Sequence, residues 1–231
     1  MSAAPLVAAT DLDVGRSTPL IRGVELALYP GECWFLLGRN GSGKSTLIAT
    51  LLGLLPPLRG GFSMAEAVSN RSGLGFVPQE TGVGHSLPIT AAEYVWMGLG
   101  GTERAQARAS VQAALAGMGV ADLAHRDVSS LSFGQRRRVM VARALVRMPV
   151  LLVLDEPAAN LDPDGSHRLA ADLEVLRRAR DLCILHASHD LELARTFATH
   201  VALVHDGVLT TQPAATAFAG TLLRETLGGG R

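Results

Sequence analysis

Apolar and polar residues alternate in one part of the chain and cluster in others, and the two patterns predict different kinds of strand. Residues 24–28 alternate and are followed by Pro30 and Gly31, which predicts a half-buried strand that ends in a turn. Uniformly apolar runs occupy residues 33–37, 150–154, 182–185 and 201–204. Because parallel strands are buried on both faces, these runs predict the sheet of an α/β fold.

Helical patterns lie between these strands. Residues 45–55 follow a glycine-rich loop and predict one helix. A longer pattern runs to about residue 180, with Asp162 as a suitable N-cap and Pro163 at the first helical position. Both segments belong to the predicted α/β core.

The middle of the chain has a different character. It is rich in alanine, and helix starts at Thr90 and Ser132 each have Glu or Gln three residues later, which is the spacing of a capping box. We therefore predict one domain over residues 1–231. Its core comprises about residues 1–83 and 149–231, and a helical subdomain of about residues 84–148 interrupts it.

Composition narrows the class of protein. The 21 basic and 21 acidic side chains cancel, so the basic excess of nucleic-acid-binding domains is missing and no nucleic-acid partner is expected. The apolar runs fall well short of the ~20 residues that a membrane-spanning helix needs. Cys33 and Cys183 each lie in an apolar run, which is typical of buried, reduced thiols. We expect a soluble intracellular protein.

The glycine-rich loop matches the phosphate-binding pattern G-x-x-x-x-G-K-[ST] at every defined position. Its residues are Gly38, Arg39, Asn40, Gly41, Ser42, Gly43, Lys44 and Ser45, followed by Thr46. Glycines let backbone N–H groups surround the phosphates of a nucleotide, and the dipole of the following helix favours their charge. Lys44 is expected to neutralise phosphate charge, and the Ser45 hydroxyl to bind Mg²⁺. A chance glycine-rich turn is disfavoured by the strand before the loop and the helix after it.

Two acids, Asp155 and Glu156, follow the apolar run at residues 150–154. We predict that this strand lies beside the strand of the phosphate-binding loop and delivers both acids to the nucleotide. Asp155 is expected to hold Mg²⁺ through water, and Glu156 to polarise the water that attacks the γ-phosphate. Alternatively, the acids only cap the next helix, but the phosphate-binding loop upstream favours the catalytic interpretation.

Four further segments follow in a recognisable order. Residues 130–138 (SLSFGQRRR) resemble the LSGGQ signature of ABC ATPases, and Gln79 resembles their Q-loop glutamine. Residues 159–162 resemble the D-loop, and residues 188–190 resemble the switch-histidine segment, with His189 as the histidine. Together with the phosphate-binding loop, these motifs cover residues 23–207, over which the chain resembles the nucleotide-binding subunit of an ABC transporter.

The resemblance implies a fold and a site. The fold is a P-loop NTPase (RecA-like) core with an N-terminal antiparallel β part and an inserted helical subdomain, the ABC ATPase architecture. Two subunits, expected to be a homodimer, would hold two ATP molecules and Mg²⁺ between them. Gln79 is implied as a metal ligand and, with Glu156 and His189, as a catalytic residue. The residues implied to face the partner's nucleotide are Ser132, Gly134, Gln135 and Asp162.

The implied partner is a transmembrane permease, so the protein is expected to be cytoplasmic and peripheral on the inner face of the cell membrane. The segment after Gln79 is similar to that of metal-ion and metal-chelate importers. The similar residues are Glu80, Thr81, 86–90, Glu93 and 96–98. This implies zinc, manganese or an iron chelate as cargo, although the segment contacts the permease and not the cargo.

Two other functions are alternatives. One is a soluble ABC-type ATPase, for example in iron–sulfur assembly, translation or chromosome maintenance. The translation class usually carries two such domains and the chromosome class a long coiled coil, and neither is present here. The other is a regulatory module that does not hydrolyse ATP. That function requires a damaged site, whereas Lys44, Asp155, Glu156 and His189 are all present.

The sequence departs from the family pattern at two places. Phe133 stands where the signature has its first glycine, but Gly134 is retained, so function is expected to survive. The aromatic residue that stacks on adenine is missing near residues 14–16. Adenine is expected to rest on Val14, to rest on the guanidinium plane of Arg16, or to be held loosely.

Overall fold

The computed structural model describes residues 4–69, 73–79, 88–100, 104–159, 161–220 and 223. Within these residues, nine strands form one sheet between two apolar layers. The strands are β1 (Val7–Gly15), β2 (Pro19–Leu28), β3 (Cys33–Gly38), β4 (Arg59–Met64), β5 (Leu74–Val77), β6 (Leu151–Asp155), β7 (Cys183–Ser188), β8 (His200–His205) and β9 (Val208–Pro213). The helices are α1 (Lys44–Leu51), α2 (Glu66–Ser69), α3 (Ala91–Trp96), α4 (Arg104–Gly117), α5 (Phe133–Leu145), α6 (Pro163–Arg180), α7 (Leu191–Phe197) and α8 (Ala214–Ala219).

The sheet has a parallel centre and an antiparallel part. Its strand order is β4-β1-β2-β9-β8-β3-β7-β6-β5. Strands β8, β3, β7, β6 and β5 run parallel to one another. Strand β1 pairs antiparallel with β2 and with β4. The predicted α/β fold with an N-terminal antiparallel part is therefore confirmed.

Alternate side chains of the parallel strands face the two apolar layers. In β3, Phe35 and Leu37 belong to the layer that includes helices α3 to α6. Trp34 and Leu36 belong to the other layer, which includes Leu47 of α1. Each such side chain contributes about 1.5–3 kcal/mol through burial. Burial on both faces explains why these strands are mainly apolar in sequence.

The strand of Asp155 does not lie beside the strand of the phosphate-binding loop, so this detail of the sequence-based prediction is wrong. Strand β7 lies between β3 and β6 and pairs with both. Because all three strands consist mainly of apolar residues, their local sequence does not specify their order, which depends on how the helical connections pack. Parallel strands end at the same edge of the sheet. Asp155, which pairs with Ala187 of β7, therefore still lies at the edge that carries the loop.

Gly53 ends helix α1 before the predicted residue 55. Its φ of +70° is left-handed, and its N–H donates to the Thr50 carbonyl at 2.9 Å. The next N–H, of Leu54, donates to the Ala49 carbonyl at 2.8 Å. These two bonds form a Schellman motif, which satisfies the last carbonyls of a helix and turns the chain away.

Helices α3, α4 and α5 lie between β5 and β6, and both predicted capping boxes are present. The Thr90 hydroxyl accepts from the Glu93 N–H at 3.2 Å, and the Glu93 carboxylate accepts from the Thr90 N–H at 3.0 Å. The corresponding distances at Ser132 and Gln135 are 3.3 Å and 3.1 Å. Among the described residues, no helix combines the length and apolar character needed to cross a membrane.

His186 of β7 is a buried histidine within the apolar layer. Its ring lies 4.5 Å from that of Phe35, measured between centroids. Its Nε2 has no hydrogen-bond partner among the described residues. Burial lowers the pKa of His186 to about 3, with the positive charge of Arg137 acting in the same direction and Asp190 opposing it. The folded protein therefore holds this imidazole in its neutral form.

Acidification should destabilise the protein through His186. The unfolded chain takes up this proton near pH 6.5, whereas the folded chain does so only near pH 3. Stability that is present above about pH 6.5 is therefore lost as the pH falls, by about 2 kcal/mol between pH 7.5 and pH 5 from this group. Urea unfolding at both pH values measures the loss, and His186→Leu should reduce it by that amount. Equal losses in the two proteins would contradict the prediction.

Candidate functional site

The phosphate-binding loop joins β3 to α1, as the sequence predicts. Gly43 is the N-cap of α1 and has a left-handed φ of +105°, and Gly41 has a φ of +80°. A Cβ atom at Gly43 would lie 3.2 Å from the Ile21 side chain, so both conformation and space favour glycine. No side chain of the described residues caps the first N–H groups of α1. These N–H groups are available to an anion.

Lys44 is held inside this loop. It is 5% exposed, and its Nζ donates to the carbonyls of Gly38 at 2.9 Å and Arg39 at 3.1 Å. The Ser42 hydroxyl is buried and has no hydrogen-bond partner among the described residues. A cation and a hydroxyl donor beside free backbone N–H groups form a site suited to a polyphosphate.

Asp155 and Ser45 supply oxygen atoms of the kind that Mg²⁺ prefers. Asp155 is buried, and burial raises the pKa of its carboxyl group while a hydrogen bond from Ser45 lowers it. In the described part of the chain, no group donates a hydrogen bond to its buried Oδ1. A buried oxygen without a donor is costly, and a divalent cation at this position would remove that cost. The residues present therefore fit Mg²⁺.

Glu156 lies between Lys44 and His189. Its Oε1 is 3.6 Å from Lys44 Nζ, and its Oε2 is 3.6 Å from His189 Nδ1. Its φ of +46° is left-handed, which costs on the order of 1–3 kcal/mol for a residue with a side chain and is typical of functional positions. Its N–H donates to the Ala187 carbonyl at 3.0 Å, which anchors the turn on β7. The fold thus brings three of the predicted residues into one cluster.

The signature residues belong to a second site. Ser132 caps α5, and Asp162 caps α6 by accepting from the Gly165 N–H at 3.1 Å. A groove of about 660 Å³ opens between these two helix starts. Its lining includes Ser132, Phe133, Gly134, Gln135, Leu161 and Asp162. Of the described residues that line it, none belongs to the loop at 38–46. One chain therefore carries the loop and the signature as separate half-sites.

Gln79 follows β5 and is exposed, and its backbone carbonyl accepts from Arg137 at 3.4 Å. Among the arginines at 136–138, Arg138 forms an ion pair with Asp172. Arg137 donates to the backbone carbonyl of Glu156, which the sequence did not predict. The sequence holds no signal for that contact, because it joins residues far apart in the chain.

The two departures from the family pattern have different outcomes. Phe133 is 43% exposed and lies on the groove, so it is accommodated without entering the core. Val14 is fully buried, so the interpretation that adenine rests on it is wrong: its side chain packs in the apolar layer and offers no surface to a base. Arg16 is exposed, and its contact with adenine stays a prediction.

Some of the predicted segments lie outside the described residues. They are Asn160 of the D-loop and residues 80–87, which include Glu80, Thr81 and part of the segment similar to metal importers. The described part of that segment contains Glu93, which serves the capping box of α3.

Comparison with known proteins agrees with this geometry. Residues 21–159 match the family model described as ABC transporter. The zinc import ATP-binding protein ZnuC of Cereibacter sphaeroides is 40% identical over 199 residues, which are 85% of this chain and 77% of that protein. ZnuC of Alcanivorax borkumensis is 41% identical over 192 residues, 82% of this chain and 71% of that protein.

The structure of CbiO1 from Clostridium perfringens, described as part of the ABC transporter complex CbiONQ, superposes with a TM-score of 0.84. The two are 26% identical, and the match covers 97% of this chain and 96% of that one. The architecture is therefore that of solved ATP-binding cassettes. The chain belongs to the ABC transporter family and is an ATP-binding subunit of that family, an ATPase.

Proposed function

We propose that this chain hydrolyses Mg·ATP as a homodimer and thereby drives zinc uptake through a separate transmembrane permease. The observation that carries the proposal is the cluster of Lys44, Glu156 and His189 beside Asp155 and Ser45. The choice of cargo is supported by the zinc import proteins that are 40% and 41% identical to this chain. Under this proposal the protein lies on the inner face of the cell membrane and has no nucleic-acid partner.

Nucleotide binding begins at the loop. The phosphates accept hydrogen bonds from the N–H groups at the start of α1. Lys44 exchanges its bonds to the Gly38 and Arg39 carbonyls for bonds to phosphate oxygens. Mg²⁺, held by Ser45, Gln79 and Asp155, supplies charge neutralisation at the phosphates when it is bound.

Hydrolysis then depends on Glu156. Its carboxylate accepts a proton from the attacking water, as a general base does. His189 lies 3.6 Å from the same carboxylate and orients the water together with it. Lys44, at 3.6 Å on the other side, offsets the negative charge of the carboxylate with its own positive charge.

The second half of each site comes from the other subunit. The groove at the start of α5 presents the Ser132 hydroxyl and the N–H groups near Gly134, which suit an anion. Because the phosphate-binding loop does not line this groove, a γ-phosphate reaches both half-sites when two copies pack head to tail. Gln135 and Asp162 lie at the same helix starts and complete the contact.

Zinc uptake by cells tests the proposal. Cells that lack the gene for this chain should accumulate less radioactive zinc, and the wild-type gene should restore uptake whereas a Glu156→Gln gene should not. Uptake of manganese and of an iron chelate serves as the control. If cells that lack the gene take up zinc normally but take up less manganese or less iron chelate, zinc is not the cargo. Unchanged uptake of all three, with an active ATPase absent from the membrane fraction, would favour a soluble ATPase.

A further inference from the structure

We propose that Arg137 is a positioning residue for hydrolysis, which fixes the backbone of Glu156 and of Gln79 relative to the signature helix α5. The inference rests on the proposed function, because it assigns Arg137 a role only through the catalytic residues. Nothing in the signature pattern itself requires a buried guanidinium here.

Arg137 holds the turn that carries Glu156. The residue is 3% exposed, and its Nη2 donates to the Glu156 carbonyl at 2.7 Å. Its Nε donates to the next carbonyl, of Pro157, also at 2.7 Å. A weaker contact at 3.4 Å reaches the Asp155 carbonyl. One side chain therefore binds three successive carbonyls at the end of β6.

The same guanidinium binds the end of the neighbouring strand. Its Nη1 donates to the Pro78 carbonyl at 3.1 Å and to the Gln79 carbonyl at 3.4 Å. Strands β5 and β6 are paired in the sheet, with Val77 opposite Leu154. A planar fork of five N–H donors can span two strand ends in this way, whereas an ammonium group cannot.

The orientation of the Glu156 carboxylate depends on this turn. The left-handed φ of +46° is not a conformation that glutamate adopts readily. Three hydrogen bonds hold it. The Glu156 N–H donates to the Ala187 carbonyl at 3.0 Å, and the Glu156 carbonyl accepts from the Arg137 side chain at 2.7 Å and from the Ala159 N–H at 3.2 Å. Without Arg137, the shortest of the three is lost and the carboxylate is held less firmly beside Lys44 and His189.

Arg137 also connects this turn to the signature. It lies in the second turn of α5, whose N-cap is Ser132. A helix moves as a rigid unit over this distance, so a displacement of Ser132 on contact with the partner's nucleotide moves the Arg137 guanidinium. The carbonyls of Glu156 and Gln79 follow. This geometry couples the docking of the second subunit to the position of the Glu156 carboxylate.

Arg137→Met removes every donor but keeps a side chain of similar length. We expect kcat to fall about 10–100-fold, the range seen when groups that orient a catalytic residue are removed. The affinity of the monomer for ATP should stay within about twofold, because the hydrogen bonds described above join Arg137 to the ends of β5 and β6. The loss therefore appears in kcat. Arg137→Lys should recover part of the activity. The control is Arg177→Met, since Arg177 is a partly buried arginine that also bonds a backbone carbonyl, that of Gly31, remote from the site.

A double-mutant cycle with Glu156→Gln separates positioning from general destabilisation. If Arg137 acts through Glu156, Arg137→Met should have little further effect on the residual hydrolysis of the Glu156→Gln protein. An equal fold loss in both backgrounds, or an equal loss of kcat in the folded Arg177→Met control, would overturn the inference. Near-normal turnover of Glu156→Gln alone would instead overturn the proposed function. If Arg137→Met does not fold, the same cycle is run with Arg137→Lys.

Discussion

Glu156→Gln should retain ATP binding while kcat falls by about 10²–10⁴-fold, the usual contribution of a general base. The amide has the shape of the carboxylate, so the left-handed turn and its bonds to Ala187 and Arg137 are preserved. It cannot accept the proton of the attacking water. Steady-state hydrolysis and fluorescence titration with a nucleotide analogue measure the two quantities separately.

The same variant should accumulate as an ATP-bound dimer, because in the proposed cycle hydrolysis reopens the closed pair. Size-exclusion chromatography with Mg·ATP measures the dimer fraction, and the wild-type protein with ADP is the control. Near-normal turnover would show that another group activates the water. If the variant stays monomeric at saturating ATP, bound ATP does not hold two subunits together.

The cluster of Lys44, Asp155 and Glu156 could be predicted from the sequence because its parts are local. The loop at residues 38–45 is one uninterrupted segment, and its strand and helix contexts are visible as an apolar run and a helical period. Asp155 and Glu156 directly follow another apolar run. When strands are parallel, their carboxyl ends meet at one edge. That rule alone brings Glu156 towards Lys44, whichever strand lies between.

What could not be predicted depends on contacts between distant parts of the chain. The position of β7 between β3 and β6 was missed because three apolar strands have the same local pattern. Val14 was a candidate for adenine contact by its position, but burial is decided by its packing against strands and helices elsewhere in the chain. Arg137 joins α5 to carbonyls 59 and 19 positions away in sequence, at Pro78 and Glu156. The hydrophobic periodicity of the sequence does not predict such a contact.

Gly134→Asp should prevent closure and hydrolysis together while leaving ATP binding by the monomer intact. The introduced carboxylate would face a γ-phosphate, and like charges about 4 Å apart repel by about 4 kcal/mol at an effective dielectric of 20. The loop that binds ATP does not line the groove of Gly134, so the affinity of the isolated subunit is spared. Gly134→Ala is the matched control, because a Cβ atom there lies 3.5 Å from Leu161 Cδ2, an ordinary contact.

Mixing two inactive variants then decides whether the signature acts across the dimer. Lys44→Ala destroys the loop of one subunit, and Gly134→Asp destroys the signature of the other. If each site is shared, a mixed dimer holds one site with both halves intact, formed by the unaltered loop of the second subunit and the unaltered signature of the first. At equal mixing, half of the dimers are mixed, so about a quarter of wild-type activity should return if sites act independently. If the signature instead served its own chain's loop, every site would stay damaged and no activity would return.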